Sequence, residues 1–394
     1  MKICIIVDDY LPLSIKVAAK MMYELAIELK ADGHVVTVIT PLAEIKELYE
    51  LLYLDEIRIL RFKSGSIKNT GKIKRAINES LLSLKAWWYL KKFFLNEKQD
   101  LIIYYSPSIF WGLLVRKLKK LWKARSFLIL RDFFPQWVVD NGMLKEKSII
   151  TKYFRIFEKI NYNSADRIGL QSPANILQFQ KSHGSNYKIE LLYNWASDLP
   201  AITANYPYRK KMNIENKIVF FYGGNIGHAQ DMENILKLAK SLLNFPDAHF
   251  VLVGVGDEVE LVKQRIKDYS LKNMDLLEPV GQEEFKKLLS EFDIGLFSLH
   301  KNHTTHNFPG KVLGYMVQGM PILGCVNPGN DLKSVIEEAN AGFVSISGDE
   351  DSFLKNAISL LDSEVRKEKG INSKKLLREK FSVSAACKTI LKNL

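Results

Sequence analysis

Three glycine turns carry the residue types that receive phosphate. Phe220-Phe221-Tyr222-Gly223-Gly224-Asn225-Ile226-Gly227 is an apolar run entering a Gly-rich turn, with a helical pattern beginning near Asp231-Met232. Glycines let backbone N–H groups approach a phosphate, and a helix N-terminus adds partial positive charge. Val253-Gly254-Val255-Gly256-Asp257 repeats the arrangement. The third, His306-Asn307-Phe308-Pro309-Gly310-Lys311-Val312-Leu313-Gly314, opens a helix on Pro-Gly and sets Lys311 in its first turn, which makes Lys311 the leading diphosphate ligand. Neither GxGxxG nor GxxxxGK[ST] is matched, which disfavours NAD and P-loop ATP, and a tight turn without ligand is the competing reading of each glycine pair.

Two acidic positions are candidates for proton transfer. Arg131-Asp132 follows the apolar run Ser126–Leu130, where Asp132 is a candidate general base and Arg131 could orient it or hold phosphate. A buried Arg-Asp pair capping a loop is the alternative. Asp8-Asp9 follows the first apolar run, so Asp9 competes with Asp132 as base, with helix capping as its alternative. His300, His303 and His306 form HxxHxxH, but two steps of three rotate a helix by about 600 degrees, which takes the third histidine off the face of the first two. A metal site is therefore not expected, and no GxSxG elbow supports a serine nucleophile.

These turns need strands and helices to position them. Apolar strands at Lys2–Val7, Val35–Thr40, Leu101–Tyr105 and Ser126–Leu130, with a helix at Ala18–Lys30, read as βαβ alternation. Periodicity vanishes over Pro200–Pro207, a linker, and then resumes: strands at Ile218–Tyr222, Phe250–Val253, Asp293–Ser298 and Pro321–Cys325, helices at Met232–Leu243, Glu258–Tyr269 and Glu283–Phe292. The expectation is an α/β chain of two doubly wound Rossmann-like domains, 1–199 and 209–379, facing each other across a cleft that takes the ligand at the carboxyl ends of the strands.

With 394 residues, 47% hydrophobic and 25% charged, the chain is long enough for two or three cores and shows no disordered bias. Three separated cysteines, Cys4, Cys325 and Cys387, fit neither a disulfide framework nor a zinc knuckle and suit a reducing cytosol. The first apolar run is too short and too acidic in its flank for a signal peptide, and the longest uncharged stretch, Leu101–Val115, falls short of the ~20 residues that span a bilayer. Net charge is +12, and residues 1–200 hold 31 Lys/Arg against 20 Asp/Glu. Within Arg58–Arg125 the balance is 17 basic to three acidic. In Ala76–Leu95 (AINESLLSLKAWWYLKKFFL), Leu84, Trp87, Trp88, Phe94 and Leu95 offer an apolar face and Lys85, Lys91 and Lys92 a basic one. That pattern suits an anionic membrane surface, or equally a helix packed on its sheet, better than nucleic acid.

The glycine turns resemble those of GT-B glycosyltransferases of family 4, over nearly the whole chain. More narrowly, VDDYLPLSIKVAAKMMYELA (7–26), RDFFPQWVVDNG (131–142), YGGNIGHAQDMENI (222–235) and FSLHKNHTTHNFPGKVLGYMVQGMPILGCVNPGNDL (297–332) resemble bacterial L-fucosamine transferases of O-antigen and capsule synthesis. The resemblance implies transfer of N-acetyl-L-fucosamine from UDP to a sugar on polyprenyl diphosphate, by a cytoplasmic enzyme peripheral on the inner face of the membrane. It implies donor contacts at Lys16, Gly223, Gly224, Asn225, Gln230, Gly254, Gly256, Asn307, Phe308, Pro309, Gly310, Lys311 and Gly314, and puts Asn194 near the interdomain hinge and Gly342 in a late turn. A C-terminal helix, 380–394, is implied to pack back on the first domain. The family's Arg and Lys after the glycine turn are absent, and His306 and Gly314 stand where it carries two glutamates, which leaves Lys311 with His306 to carry part of the charge work without a metal. A UDP-N-acetylglucosamine 2-epimerase of the same architecture and a nucleic-acid binding protein are the competing classes.

Overall fold

The computed structural model describes residues 1–14, 16–67, 70–200, 207–302 and 308–392. The chain divides into unit 1, Met1–Tyr193 with Ala386–Leu394, and unit 2, Asn194–Ala385. Most of the Pro200–Pro207 linker, together with His303, His306 and Asn307, lies outside the described residues.

Unit 1 alternates strand and helix: β1 (Lys2–Ile6), α1 (Val17–Ala31), β2 (Val35–Leu42), β3 (Tyr49–Leu54), β4 (Ile57–Lys63), α2 (Lys72–Ser80), α3 (Leu82–Asn96), β5 (Leu101–Ser106), α4 (Gly112–Trp122), β6 (Arg125–Leu130), α5 (Gln136–Asp140), α6 (Ile149–Ser164), β7 (Arg167–Leu170), α7 (Pro173–His183) and β8 (Ile189–Leu191). Its sheet runs β3-β4-β2-β1-β5-β6-β7-β8, parallel except for β3 against β4. The inner strands are continuous apolar runs because both faces of a parallel sheet are covered. On one face the core gathers Leu82, Ala86, Leu90 and Phe94 of α3, Leu114, Val115 and Leu118 of α4, and Phe179 of α7.

In unit 2 the order is α8 (Pro207–Met212), β9 (Ile218–Asn225), α9 (Met232–Ser241), β10 (Ala248–Val255), α10 (Val259–Asp268), β11 (Met274–Leu277), α11 (Gln282–Glu291), β12 (Ile294–Ser298), α12 (Gly310–Gln318), β13 (Ile322–Val326), α13 (Leu332–Glu338), β14 (Gly342–Ile346), α14 (Glu350–Ser359) and α15 (Ser363–Leu376). Six parallel strands follow the order β11-β10-β9-β12-β13-β14. Helices α9 and α14 pack together over one face, α11, α12 and α15 over the other, so this sheet is doubly wound. After a π-helical turn at Leu377–Phe381 comes α16 (Val383–Leu391), which begins in unit 2 and ends in unit 1. Its Cys387 is buried within electrostatic reach of Glu28 and Asp32 at the end of α1.

The helix expected over Ala76–Leu95 is two helices that meet at Leu81. The reason is burial: α2 has no buried residue, whereas α3 packs a four-step stripe into the core. The apolar face drawn from sequence is also split. Phe94 is buried and Trp87 half-buried under the Lys117 ammonium, while Leu84, Trp88 and Leu95 face water.

Helices α4 and α6 cross where Gly112 meets Asn161: a Cβ on Gly112 would lie 2.6 Å from Asn161 Cα. Only backbone stands there to yield, so Gly112→Ala is expected to lower stability by about 1–3 kcal/mol in urea unfolding.

Candidate functional site

Ligands of open α/β sheets bind where the strand order reverses, outside the carboxyl ends of the strands. In unit 2 that point lies between β9 and β12, and the glycine turn ends β9. Gly224 pairs in register with Gly254 of β10, and a Cβ on Gly254 would stand 1.8 Å from the Gly224 oxygen. No side chain fits between the two strand ends, which explains glycine at 254. Gly223 lies one residue earlier on β9, and Gly256 follows β10 against the Ile226 carbonyl.

Lys311 is the second residue of α12, whose first turn no side chain caps. Its side chain runs over Gly224, a Cβ there lying 3.4 Å from Lys311 Cε. The ammonium sits 3.5 Å from the centroid of the Tyr222 ring and is buried with no hydrogen-bond partner. Burial lowers its pKa to about 7, and the ring face supplies cation–π attraction in place of an anion. An unpaired ammonium beside a helix N-terminus and two glycines is an anion receptor by chemistry. The Asn225 amide donates to Gln230 Oε1 at 2.5 Å across the following 3₁₀ turn, and Tyr222 Oη donates to the Asn225 carbonyl.

Three of the residues expected to meet the donor have neighbours other than the glycine turns. Phe308 and Pro309, expected among donor contacts, line a small apolar hollow with Asn194, Val312, Leu313 and Phe381, with the Phe308 and Phe381 rings 6.1 Å apart. Their side chains are apolar and join the nearest apolar surface. Gly310 begins α12 as expected, but Gly314 turns toward α11, where a Cβ would lie 3.2 Å from Leu289 Cδ1. Asn194 is the first residue of unit 2.

Sequence reasoning missed Tyr222 as the platform for Lys311, although it stands directly before the glycine pair. It also missed Glu258, just past the second glycine turn: Oε1 lies 3.4 Å from His228 Nδ1, and Oε2 is buried without a hydrogen bond. The His228 ring is 4.9 Å from that of His300.

In unit 1 the order reverses between β1 and β5. Asp8 and Asp9 follow β1, Tyr105 and Ser106 end β5, and Arg131 and Asp132 follow β6. Asp8 Oδ1 accepts from Trp111 Nε1 at 2.8 Å, which fixes it against the start of α4. Asp9 Oδ2 accepts from Ser14 Oγ at 2.7 Å, and that hydroxyl accepts from the Lys16 backbone N–H. Asp9 is thereby built into the loop before α1, and Lys16 is the residue preceding that helix, its side chain exposed. The Arg131 guanidinium, expected to hold phosphate, is buried and donates to the Leu192 and Tyr193 carbonyls. Because β8 ends at Leu191, those carbonyls leave the ladder, and Arg131 shapes the loop that receives them.

Asp132 keeps an exposed face at the sheet edge, while the surrounding protein raises its carboxyl above the usual range and Arg131 opposes that rise. Burial pushes the Tyr105 phenol up to about 12, with Asp132 and Asp8 adding to it and Arg131 acting against it. The edge therefore combines a half-desolvated carboxylate with a neutral phenol, a set that suits proton acceptance from a hydroxyl. Among the described residues no group of three or more His, Cys, Asp or Glu is placed to hold a metal ion, and no helix is long and apolar enough to cross a membrane.

Residues 206–376, most of unit 2, match the family model of glycosyl transferases group 1. The chain is 26% identical over 221 residues to a curated protein of Pseudomonas aeruginosa named "Probable glycosyltransferase WbjE", covering 55% of this chain and 54% of that one. It thus spans about half the length of that relative. Among solved structures, HepE of Anabaena in complex with UDP superposes with a TM-score of 0.67 at 13% identity, covering 100% and 99% of the two chains. WaaG, a glycosyltransferase involved in lipopolysaccharide biosynthesis, gives 0.61 at 14% identity, covering 99% of each. The fold is the two-domain α/β architecture of GT-B glycosyltransferases.

Burying an ammonium has a signature in stability. The folded pKa of Lys311, about 7, lies below its unfolded value, so between the two the unfolded chain binds more protons and stability rises with pH. The penalty is present in full below pH ~7 and is gone above ~10.5. Lys311→Met is expected to raise stability at pH 6.5 by about 3–5 kcal/mol, with the gain fading by pH ~10 in thermal melts.

Proposed function

We propose that this protein is a glycosyltransferase that moves N-acetyl-L-fucosamine, or a related N-acetylated sugar, from a UDP-sugar to a sugar carried on polyprenyl diphosphate, in O-antigen or capsule synthesis. It works without a metal, in the cytoplasm, as a peripheral protein of the inner face of the membrane. The observation that carries this reading is the Lys311 ammonium, buried without a partner beside Gly224 in a domain that matches glycosyl transferases group 1. The UDP bound to HepE supports a UDP-sugar as donor, and the part WaaG takes in lipopolysaccharide biosynthesis supports a surface polysaccharide as product. The four segments resembling L-fucosamine transferases supply the choice of sugar.

The leaving group is a nucleoside diphosphate. Lys311 and the first-turn N–H groups of α12 neutralise the charge that develops as the anomeric carbon–oxygen bond breaks, which lowers the barrier where charge appears. The acceptor hydroxyl forms the new bond to that carbon and loses its proton to the Asp132 carboxylate, which burial makes more basic than a free one and Arg131 less so. Arg131 acts through the loop it holds and not on the substrate. Gly223, Gly224, Gly254 and Gly256 bring main chain close to the diphosphate, and Asn225 and Gln230 border it; His306 and Asn307, which precede Lys311 in the sequence, are proposed as further donor contacts.

Lys311→Ala is expected to weaken UDP binding by roughly 10- to 100-fold in calorimetric titration, the contribution of one charge-assisted contact. Since the ammonium form attracts the diphosphate, wild-type affinity for a UDP-sugar should fall as pH rises through about 7, and the variant should lose that dependence. Asp132→Ala should slow turnover by about 100-fold with UDP affinity kept. UDP affinity untouched by Lys311→Ala would overturn the donor assignment.

A further inference from the structure

Helices α2, α3, α4 and α6 are successive neighbours on one side of unit 1, and their outward residues combine two properties that ordinary water-facing helices keep apart. The first is exposed apolar bulk. Ile73, Ile77, Leu84 and Trp88 follow one another at helical steps along α2 and α3, and Ile149 and Ile156 do so on α6. Ile73 is 80% exposed, Trp88 69% and Ile149 85%. The two stripes adjoin, since Tyr153 Oη of α6 donates to Ser80 Oγ at the end of α2 at 2.7 Å.

The second property is charge of one sign. The four helices carry thirteen Lys/Arg and two Glu. Glu79 is paired with Arg75 and the buried Glu158 with Arg155, so each cancels one arginine and the four helices keep an excess of eleven positive charges. Between α4 and α6, beside Ile156, runs a groove lined by Arg116, Lys119, Lys120 and Lys159.

We propose that this helical face is the surface on which the protein lies against an anionic bilayer, with Ile73, Ile77, Trp88, Ile149 and Ile156 entering the interface and lipid phosphates meeting the groove between α4 and α6. Apolar side chains of this size gain by leaving water for the acyl boundary, and basic residues near an anionic surface add attraction. A polyanion such as nucleic acid would use the charge but leave the isoleucines in water. A second copy of this chain would meet the face with the same excess of positive charge, which like-charge repulsion opposes. The inference deepens the reading of a lipid-linked acceptor by naming the face that meets the lipid, and rests on that reading for its biological sense alone.

The test is cosedimentation of the full chain with vesicles of phosphatidylcholine alone and of phosphatidylcholine with about one-third phosphatidylglycerol. Wild type is expected on the anionic vesicles, and Arg116→Gln with Lys120→Gln to bind them roughly thirtyfold more weakly. Ile73→Glu with Ile149→Glu should bind weakly as well, whereas Lys267→Gln with Lys272→Gln, exposed in unit 2, should bind as wild type does. Thermal melting and UDP titration report the integrity of each variant. Equal vesicle binding by all of them overturns the proposal, as does a change of oligomeric state in the isoleucine variant, which would make the face a contact between copies. UDP binding without vesicle binding defeats the surface alone; vesicle binding without UDP binding defeats the transferase reading and leaves the surface.

Discussion

A lysine ammonium withdrawn from water onto the face of a tyrosine, with no hydrogen-bond partner, sets the character of unit 2. Such a charge is costly to bury, and its depressed pKa is the measure of that cost. Its surroundings are main chain, an uncapped helix start and a ring face. Glycine at 224 and 254 strips the strand ends of side chains, α12 begins one residue earlier with an uncapped first turn, and the Tyr222 ring holds the ammonium in position. A neutral side chain at 311 would make a more stable protein and a poorer receptor, the usual relation between site strain and stability.

The same topological rule yields opposite chemistry in the two units. At the reversal point of unit 2 the residues are glycine and one cation; at that of unit 1 they are Asp8, Tyr105 and Asp132, with Trp111 behind. The cation available in unit 1, Arg131, is committed to backbone carbonyls. One edge is thus suited to a phosphate and the other to a hydroxyl that must lose a proton. A sheet dictates where the site lies; the loops at its carboxyl edge dictate what it takes.

The alternation of strands and helices was legible because apolar runs of four to six residues between amphipathic stretches admit little else, and the place of Lys311 in the first turn of a helix was legible from Pro-Gly. What escaped is non-local. Nothing around Arg131 says that β8 will end some sixty residues on with two carbonyls to satisfy. Nothing around Lys311 points to a ring on β9. Phe308 and Pro309 sit in a segment expected to meet the donor, yet their side chains line an apolar hollow. The break between α2 and α3 follows from which residues the sheet buries, since helical periodicity runs through Leu81 without interruption, and Ile149 and Ile156 read in a linear sequence like any core-facing stripe.

The path of α16 has a consequence for biosynthesis. Unit 2 interrupts unit 1, whose final helix carries buried Ala386, Cys387 and Ile390. On the ribosome the first 193 residues emerge without that cover, and the intervening 192 must follow before it arrives, a delay of about 10–40 s at ordinary elongation rates. The interrupted domain is thus completed only after the one inserted in it, although its synthesis starts earlier, and during that interval its α1 side is a patch for chaperones to guard.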